Sequence, residues 1–307
     1  VVVGPTATGK SRLAAALALA FDGEVVSADS MQVYRGIPVG TAQPTETEMR
    51  GVPHHLIGFL PLSETFSAAD YTALAAASIE KIRERGRLPV LAGGTGLYVS
   101  SLLRGVRFPC GGGDGTLRAE LFRRAEAEGP EALWKELHGL DPEAAEKIHP
   151  NNIGRTVRAI EICQTTGVTM TEQLRRSREK TSPYDACVIG LDYRDRRKLY
   201  ESIGRRVDTM MERGLLDEAR RVLSPGSATT AAQAIGYKEF GPYFRGECGL
   251  SEAVEQVKRG TRRYAKRQRT WFRHQENAAW IYLDDVPDFE GALRLACEIL
   301  REREWAR

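Results

Sequence analysis

Val1-Val2-Val3-Gly4-Pro5-Thr6-Ala7-Thr8-Gly9-Lys10-Ser11 opens the chain, and its reading decides the architecture. Three β-branched residues read as a buried strand, and the next eight match the phosphate-loop spacing G-x-x-x-x-G-K-[ST]. The Ala- and Leu-rich run Lys10–Ala20 that follows reads as a helix. Glycines let such a loop wrap an anion with its backbone N–H groups pointing inward; Lys10 adds a point charge and the Ser11 hydroxyl suits Mg2+. Strand, loop and helix in direct succession make the phosphate reading far stronger than the spacing alone.

The same alternation continues outward. Strands are expected at Val1–Val3, Glu24–Ser27, Leu56–Leu60, Leu88–Ala92, Cys187–Leu191 and Trp280–Leu283. Helices are expected at Lys10–Ala20, Ser67–Arg85, Leu97–Leu103, Arg196–Arg213, Ser251–Arg273 and Leu293–Trp305. That pattern predicts an α/β fold, a P-loop NTPase-like parallel sheet flanked by helices. From the glycine run Gly111–Gly113 to about Tyr184 only helices are expected: Leu117–Glu128, Glu131–Leu137, Pro142–Ile148 and Ile153–Thr165. This stretch is too long for a crossover, so residues 111–184 are expected to be an all-helical insertion subdomain in a core of 1–110 and 185–307.

Composition narrows the class. With 307 residues, 42% hydrophobic and 28% charged, the chain can bury a sizeable core. No apolar run reaches the roughly 20 residues of a membrane helix. The chain begins at Val1, directly on a strand, so no secretory leader is expected and a few residues are expected to precede it. Five scattered cysteines (Cys110, Cys163, Cys187, Cys248, Cys297) form no C-x-x-C pair, which argues against a zinc module or disulfide scaffold and for a reducing cytoplasm.

Charge is uneven. Net charge is only +3, yet Lys258, Arg259, Arg262, Arg263, Lys266, Arg267, Arg269 and Arg273 crowd residues 258–274 with no acid among them. On a helix, 259, 262, 263, 266, 269, 270 and 273 share a face, with Tyr264, Trp271 and Phe272 nearby. The stripe reads either as a phosphate-binding face for nucleic acid or as a solvated face paired with acids elsewhere in the fold.

What the loop holds is open at this level. Phosphate-loop NTPases place an Asp at the end of another strand to support Mg2+, but Leu88–Ala92 runs into Gly93-Gly94-Thr95 with no acid. Asp29 instead follows the second strand, in Ser27-Ala28-Asp29-Ser30-Met31-Gln32, at the edge where α/β sheets gather their sites. It has three readings there: metal ligand, general base, or cap of the following turn. His54-His55 reads as structural, because adjacent strand residues face opposite ways. His149-Pro150 reads as a helix stop, and Trp271-Phe272 as packing.

Longer motifs then add a family. GPTATGKS, Asp29-Ser30-Met31-Gln32-Val33-Tyr34-Arg35-Gly36, Gly40-Thr41-Ala42, Pro53-His54-His55-Leu56, Phe66-Ser67-Ala68-Ala69-Asp70-Tyr71 and Gly93-Gly94-Thr95-Gly96-Leu97-Tyr98 resemble the tRNA dimethylallyltransferase (tRNA isopentenyltransferase) family. The resemblance continues through His149-Pro150-Asn151-Asn152, Arg155, Arg158-Ala159-Ile160-Glu161, Gly236-Tyr237-Lys238-Glu239 and Tyr264–Arg273, in the same order over nearly the whole chain.

The resemblance implies transfer of a dimethylallyl group from dimethylallyl diphosphate to N6 of the adenosine after the anticodon in tRNA, with the adenine flipped into a channel. The loop would then cradle a diphosphate leaving group, through Gly4, Thr6, Ala7, Thr8, Gly9, Lys10 and Ser11, with Ser11 on Mg2+. Asp29 would be the general base, with Lys10 and Thr95 also catalytic. The tRNA anticodon stem-loop would contact Asp29, Ser30, Met31, Gln32, Thr95, Arg118, Arg155, Arg158, Gln233, Gly236, Tyr237 and Lys238. Gly154 departs from the Gln of some relatives, and no contact is expected from it. Arg206 reads either as a diphosphate contact or as a surface helix arginine. A monomer acting in the cytoplasm on tRNA and a prenyl diphosphate is the expectation. A phosphate-loop small-molecule kinase, an RNA-dependent ATPase binding ATP and an isopentenyltransferase of free nucleotide are the competing readings.

Overall fold

The computed structural model describes residues 1–106, 108, 115–178, 182–224, 229–275 and 278–303. Cys110, the Gly111–Gly113 run and Trp305 lie outside them. The contacts divide the chain into two compact units, Val1–Leu102 with Asp185–Arg307, and Leu103–Tyr184.

The larger unit is built on six parallel strands: β1 Val2–Val3, β2 Gly23–Ser27, β3 His54–His55, β4 Leu88–Ala92, β5 Ile189–Asp192 and β6 Ala279–Tyr282, in the order β3-β2-β4-β1-β5-β6. β2 and β4 pair in register from Gly23↔Leu88 to Ser27↔Ala92. β1 lies between β4 and β5 through Val2↔Ala92 and Val2↔Ile189. Helix α1, Lys10–Ala20, lays Leu13 and Leu17 on Val2, Val25, Val90, Ile189 and Ile281, and the Phe289–Glu302 helix adds Ala292, Ala296 and Leu300 to that core. Each fully buried leucine of this kind contributes roughly 2 kcal/mol. Because every strand is parallel, the residues after β1, β2, β4 and β5 emerge at one edge.

Two glycines make that edge possible. A Cβ at Gly4 (φ 139°) would lie 2.1 Å from the Leu191 carbonyl oxygen, and one at Gly93 would lie 2.1 Å from that of Ala28. The loops after β1 and β4 therefore sit against neighbouring strands more closely than any side chain allows.

The third strand falls at His54–His55 rather than the expected Leu56–Leu60. Leu56 at φ 61° turns the chain out of the sheet, and Leu60 makes only an isolated bridge to Tyr34. The Leu215–Val222 helix, started by Gly214 at φ 93°, was not expected either. Among the described residues no helix is long and apolar enough to cross a membrane.

The smaller unit is helical: Thr116–Glu128, Pro130–Leu140, Pro142–Lys147, Ile153–Thr166 and the unexpected Met170–Arg178. Leu121, Leu133, Leu137, Ile148, Val157 and Ile160 form its own core. Asp141 caps the third of these helices through Ala144 N and also takes the Thr171 amide and hydroxyl, tying in the last.

Candidate active site

The loop after β1 has the geometry its sequence promises. Ala7 (φ 66°) and Gly9 (φ 78°) both take left-handed conformations, which turns successive amides toward one side. Gly9 caps α1 without any side-chain acceptor and the first turn holds no acid, so the amides there remain for an anion. Ser202 Oγ steadies the loop by donating to the Ala7 carbonyl oxygen at 2.8 Å.

Loop and neighbours line a cavity of about 800 Å³. Thr6, Ala7, Gly9, Lys10 and Ser11 stand at one part of it, with Asp29, Ser30, Met31 and Gln32 from the loop after β2, Arg206 from the Arg196–Glu212 helix, and Gln233, Gly236 and Lys238 farther along the chain. Of the expected diphosphate set, Gly4 and Thr8 do not line it. Gly4 is held for its close approach to β5, and buried Thr8 donates its hydroxyl to the Pro5 carbonyl oxygen at 2.9 Å.

Lys10 Nζ donates to the same Pro5 oxygen at 2.7 Å. Burial, then the neighbouring Arg206 charge, lowers its pKa to about 7 against the attraction of Asp29. Burial also lowers the Arg206 pKa, opposed by Asp29 and Glu48. Arg206 makes no hydrogen bond or ion pair with any described residue. Two desolvated cations on one cavity wall, one of them unpartnered, are a site that favours an anion.

The two oxygens of Asp29 stand in different surroundings. Its Oδ1 accepts from Met31 N at 2.9 Å and Gln32 N at 3.4 Å, which caps the turn, and Oδ2 has no protein partner among the described residues. The cap reading therefore holds for one oxygen of a residue that lines the cavity. Thr95 does not line the cavity; its Oγ1 accepts from Ser30 N at 2.9 Å and donates to Ser30 Oγ at 3.3 Å, so it holds the loop that carries Asp29. Gln32 is buried with its amide fully engaged: Oε1 accepts from Ser27 Oγ at 2.9 Å and Nε2 donates to the Ala42 carbonyl oxygen at 2.9 Å.

Tyr237 corrects an expectation. Named for tRNA contact, it is fully buried and donates its hydroxyl to Glu218 Oε1 at 2.8 Å. Glu218 also accepts from Val39 N at 3.0 Å and Gly40 N at 2.6 Å. The pair positions the Val39–Ala42 wall of the cavity. Glu218 escaped sequence reasoning, although an acid among Leu215, Ala219 and Val222 on an apolar helix face is a legible signal.

The basic helix, Leu250–Gln275, divides. Arg269 Nε and Arg273 Nη2 pair with the fully buried Asp192 at the end of β5, at 2.8 and 2.9 Å, while Lys258 pairs with Asp208 and Arg262 with Glu255. Half of the stripe is thus structural, and Arg259, Arg263, Lys266 and Arg267 remain exposed. Trp271 packs on Gly96 and donates to Ser100 Oγ at 3.0 Å, with Phe272 fully buried, as the packing reading had it. His55 pairs with buried Glu24 at 2.6 Å, a structural place for the double histidine.

Arg118, Arg155 and Arg158 belong to the smaller unit. Buried Glu161 accepts Arg118 Nη2 and Arg158 Nη1, each at 2.7 Å, and leaves both guanidinium groups partly exposed. Burial alone would raise the Glu161 carboxyl, but those bonds and charges hold it below the ordinary range. Arg155 is exposed on the first turn of the Ile153–Thr166 helix, which Asn152 caps through Arg155 N.

Residues 32–275 match the family model described as IPP transferase. A tRNA dimethylallyltransferase from Halalkalibacterium halodurans is 49% identical over 290 residues, covering 94% of this chain and 92% of that protein. The crystal structure of the tRNA isopentenylpyrophosphate transferase from Bacillus halodurans superposes with a TM-score of 0.72 at 44% identity, over 99% of this chain and 96% of that one. A eukaryotic dimethylallyltransferase acting on tRNA gives a TM-score of 0.80 at 30% identity, over 96% of this chain and 76% of that one.

Proposed function

The chain belongs to the IPP transferase family of tRNA dimethylallyltransferases, and from that premise we propose that it moves the dimethylallyl group of dimethylallyl diphosphate to N6 of the adenosine 3′-adjacent to the anticodon. The observation that carries the reading is the shared cavity: unpartnered Arg206 and desolvated Lys10 face the same space as the Asp29 carboxylate.

The chemistry follows from that arrangement. The C1–O bond to the diphosphate breaks as N6 bonds to C1, so negative charge grows on the leaving group while N6 becomes acidic. Lys10, Arg206 and the amides of the loop stabilise the departing diphosphate. Asp29 Oδ2 takes the N6 proton, with Oδ1 fixed by the Met31 amide so that the carboxylate is already oriented. An adenine inside a helix or loop stack cannot reach this centre, so the base is flipped into the cavity, whose roughly 800 Å³ suits adenine and a five-carbon diphosphate together.

Ser11 fits as the protein ligand of Mg2+. It is a hard oxygen on the cavity with no hydrogen bond to a described residue, and no group of three His, Cys, Asp or Glu among the described residues could hold a metal by itself. Bound there with the diphosphate, the ion would add charge neutralisation at the leaving group.

For tRNA, Ser30, Met31, Gln233, Gly236 and Lys238 line the cavity where the flipped base would enter, and Gln32 and Thr95 shape that wall. Arg118, Arg155 and Arg158 supply phosphate contacts from the helical unit. The chain is read as a monomer acting in the cytoplasm, whose reducing conditions suit free Cys163, Cys187, Cys248 and Cys297. A kinase or RNA-dependent ATPase is not favoured, because β4 ends in Gly93-Gly94-Thr95 rather than an acid and the relatives are tRNA prenylating enzymes. Incubation with Mg2+, dimethylallyl diphosphate and an unmodified anticodon stem-loop tests the reading: the RNA gains one dimethylallyl group on that adenosine. An unchanged RNA mass with ATP hydrolysed in parallel would replace it.

A further inference from the structure

Gln268 sits where the phosphate loop meets the loop after β4, and it binds both. Thr6 N donates to its Oε1 at 2.8 Å, and its Nε2 donates to the Gly94 carbonyl oxygen at 3.0 Å. The side chain is 5% exposed, and a Cβ on Gly94 would lie 2.2 Å from Nε2, so Gly94 is bare to admit it. Its amide orientation is set by its partners, since only the oxygen can meet an N–H and only the nitrogen a carbonyl. The helix that carries it is fastened on the next residue, where Arg269 pairs with buried Asp192 at 2.8 Å.

The two loops joined in this way carry opposite halves of the reaction. Thr6 begins the cradle for the leaving group. Gly94 is followed by Thr95, whose hydroxyl fixes Ser30 beside Asp29. Resting on the function proposed above, we infer that Gln268 is a positioning residue that sets the distance between the diphosphate cradle and the Asp29 base. It stands on the cavity wall and acts through Thr6 on one side and through Gly94 and Thr95 on the other. Transfer needs C1 and N6 within near-attack range, and an error of an ångström there costs about 10²-fold.

This makes Gln268→Glu informative. A protonated carboxyl reproduces the amide, accepting from Thr6 N and donating to the Gly94 oxygen. An ionised one sets a negative oxygen against that carbonyl and beside the diphosphate. At a buried position the ionised form is disfavoured, which raises its titration above the ordinary carboxylate range.

The experiment measures single-turnover prenyl transfer to the stem-loop from pH 5.5 to 8.5 for wild type, Gln268→Glu and Gln268→Ala. The expected result is that Gln268→Ala loses at least tenfold in kcat with little change in stem-loop Kd. The Gln268→Glu to wild-type rate ratio is expected to rise at least tenfold from pH 8.5 to 5.5. A pH-independent ratio, or kcat of Gln268→Ala within about threefold of wild type, overturns the inference. If Gln268→Ala fails to fold, the Glu ratio decides alone. Failure of wild type itself to prenylate the RNA would instead reject the proposed function, so the two failures are distinct.

Discussion

Thr95 and Ser30 grip each other across two loops: Thr95 Oγ1 accepts the Ser30 amide at 2.9 Å and donates to the Ser30 hydroxyl at 3.3 Å. The bond lies one residue from Asp29, so it governs where the Asp29 carboxylate stands. Thr95→Val keeps the shape and removes the acceptor, leaving the Ser30 amide unsatisfied at a cost of about 1–3 kcal/mol. The expected outcome is a kcat lower by about tenfold or more, with stem-loop binding retained. Steady-state kinetics beside a binding isotherm check it.

Lys10 titrates near pH 7 before ligand arrives, because burial and Arg206 oppose its charge. A bound diphosphate favours the charged amine, so above pH 7 binding takes up a proton and affinity falls as pH rises, by up to about tenfold per unit. Below pH 7 the amine is already charged and this dependence disappears. Calorimetry of inorganic pyrophosphate in two buffers of different ionisation enthalpy reads the uptake directly. Lys10→Met removes that part of the uptake and leaves only the ligand's own ionisation.

Glu24, 3% exposed, accepts from Arg85, Arg87 and His55. Burial pushes its carboxyl up, but the bonds and charges of Arg85 and His55 prevail and bring it to about 2, from 4.5. The folded group titrates below the unfolded one, so its stabilisation is complete above about pH 4.5 and is lost as pH falls toward 2. Removing it costs on the order of 2 kcal/mol at neutral pH. Denaturant melts of wild type and Glu24→Gln at pH 7 and pH 3 are expected to show a gap that narrows in acid.

Tyr237→Phe deletes the hydroxyl that Glu218 receives in the core. The expected loss is about 1–3 kcal/mol of folding stability, with the stem-loop Kd unchanged at a temperature where both proteins are folded. A weakened Kd with full stability would return Tyr237 to the RNA interface.

Arg155→Ala and Arg158→Ala are expected to weaken stem-loop binding and to lower the slope of log K against log salt by about one for each phosphate no longer neutralised. Arg158 shares Glu161 with Arg118, so its removal also takes one of two cationic partners from a buried carboxylate and lowers stability, whereas exposed Arg155 carries no such cost. Filter binding over a salt series, with thermal melts, separates the two.

Much of the molecule was legible from local pattern. The phosphate loop, the parallel sheet and the α1 helix follow from spacing and periodicity, because each depends on residues close in sequence. β3 was misplaced because Leu56–Leu60 has strand composition, while the positive φ of Leu56 that diverts it is set by the surrounding fold. The residues that were missed share one character. Glu218, Asp192 and Gln268 are polar groups buried by partners far away in sequence, and their roles exist only once β5, the Leu215–Val222 helix and the Leu250–Gln275 helix have packed. Asp29 shows the same limit: its sequence allowed metal ligand, general base or cap, and the geometry identifies only the cap, made by Oδ1.

The most direct test of the account is the single-turnover rate of Asp29→Asn with saturating dimethylallyl diphosphate and stem-loop. Asparagine keeps an oxygen for the Met31 amide and cannot take the N6 proton. The account predicts a rate lower by about 10²–10⁴-fold with an unchanged stem-loop Kd. A rate within about threefold of wild type would mean that the proton leaves by another route and that Asp29 serves only to cap its turn.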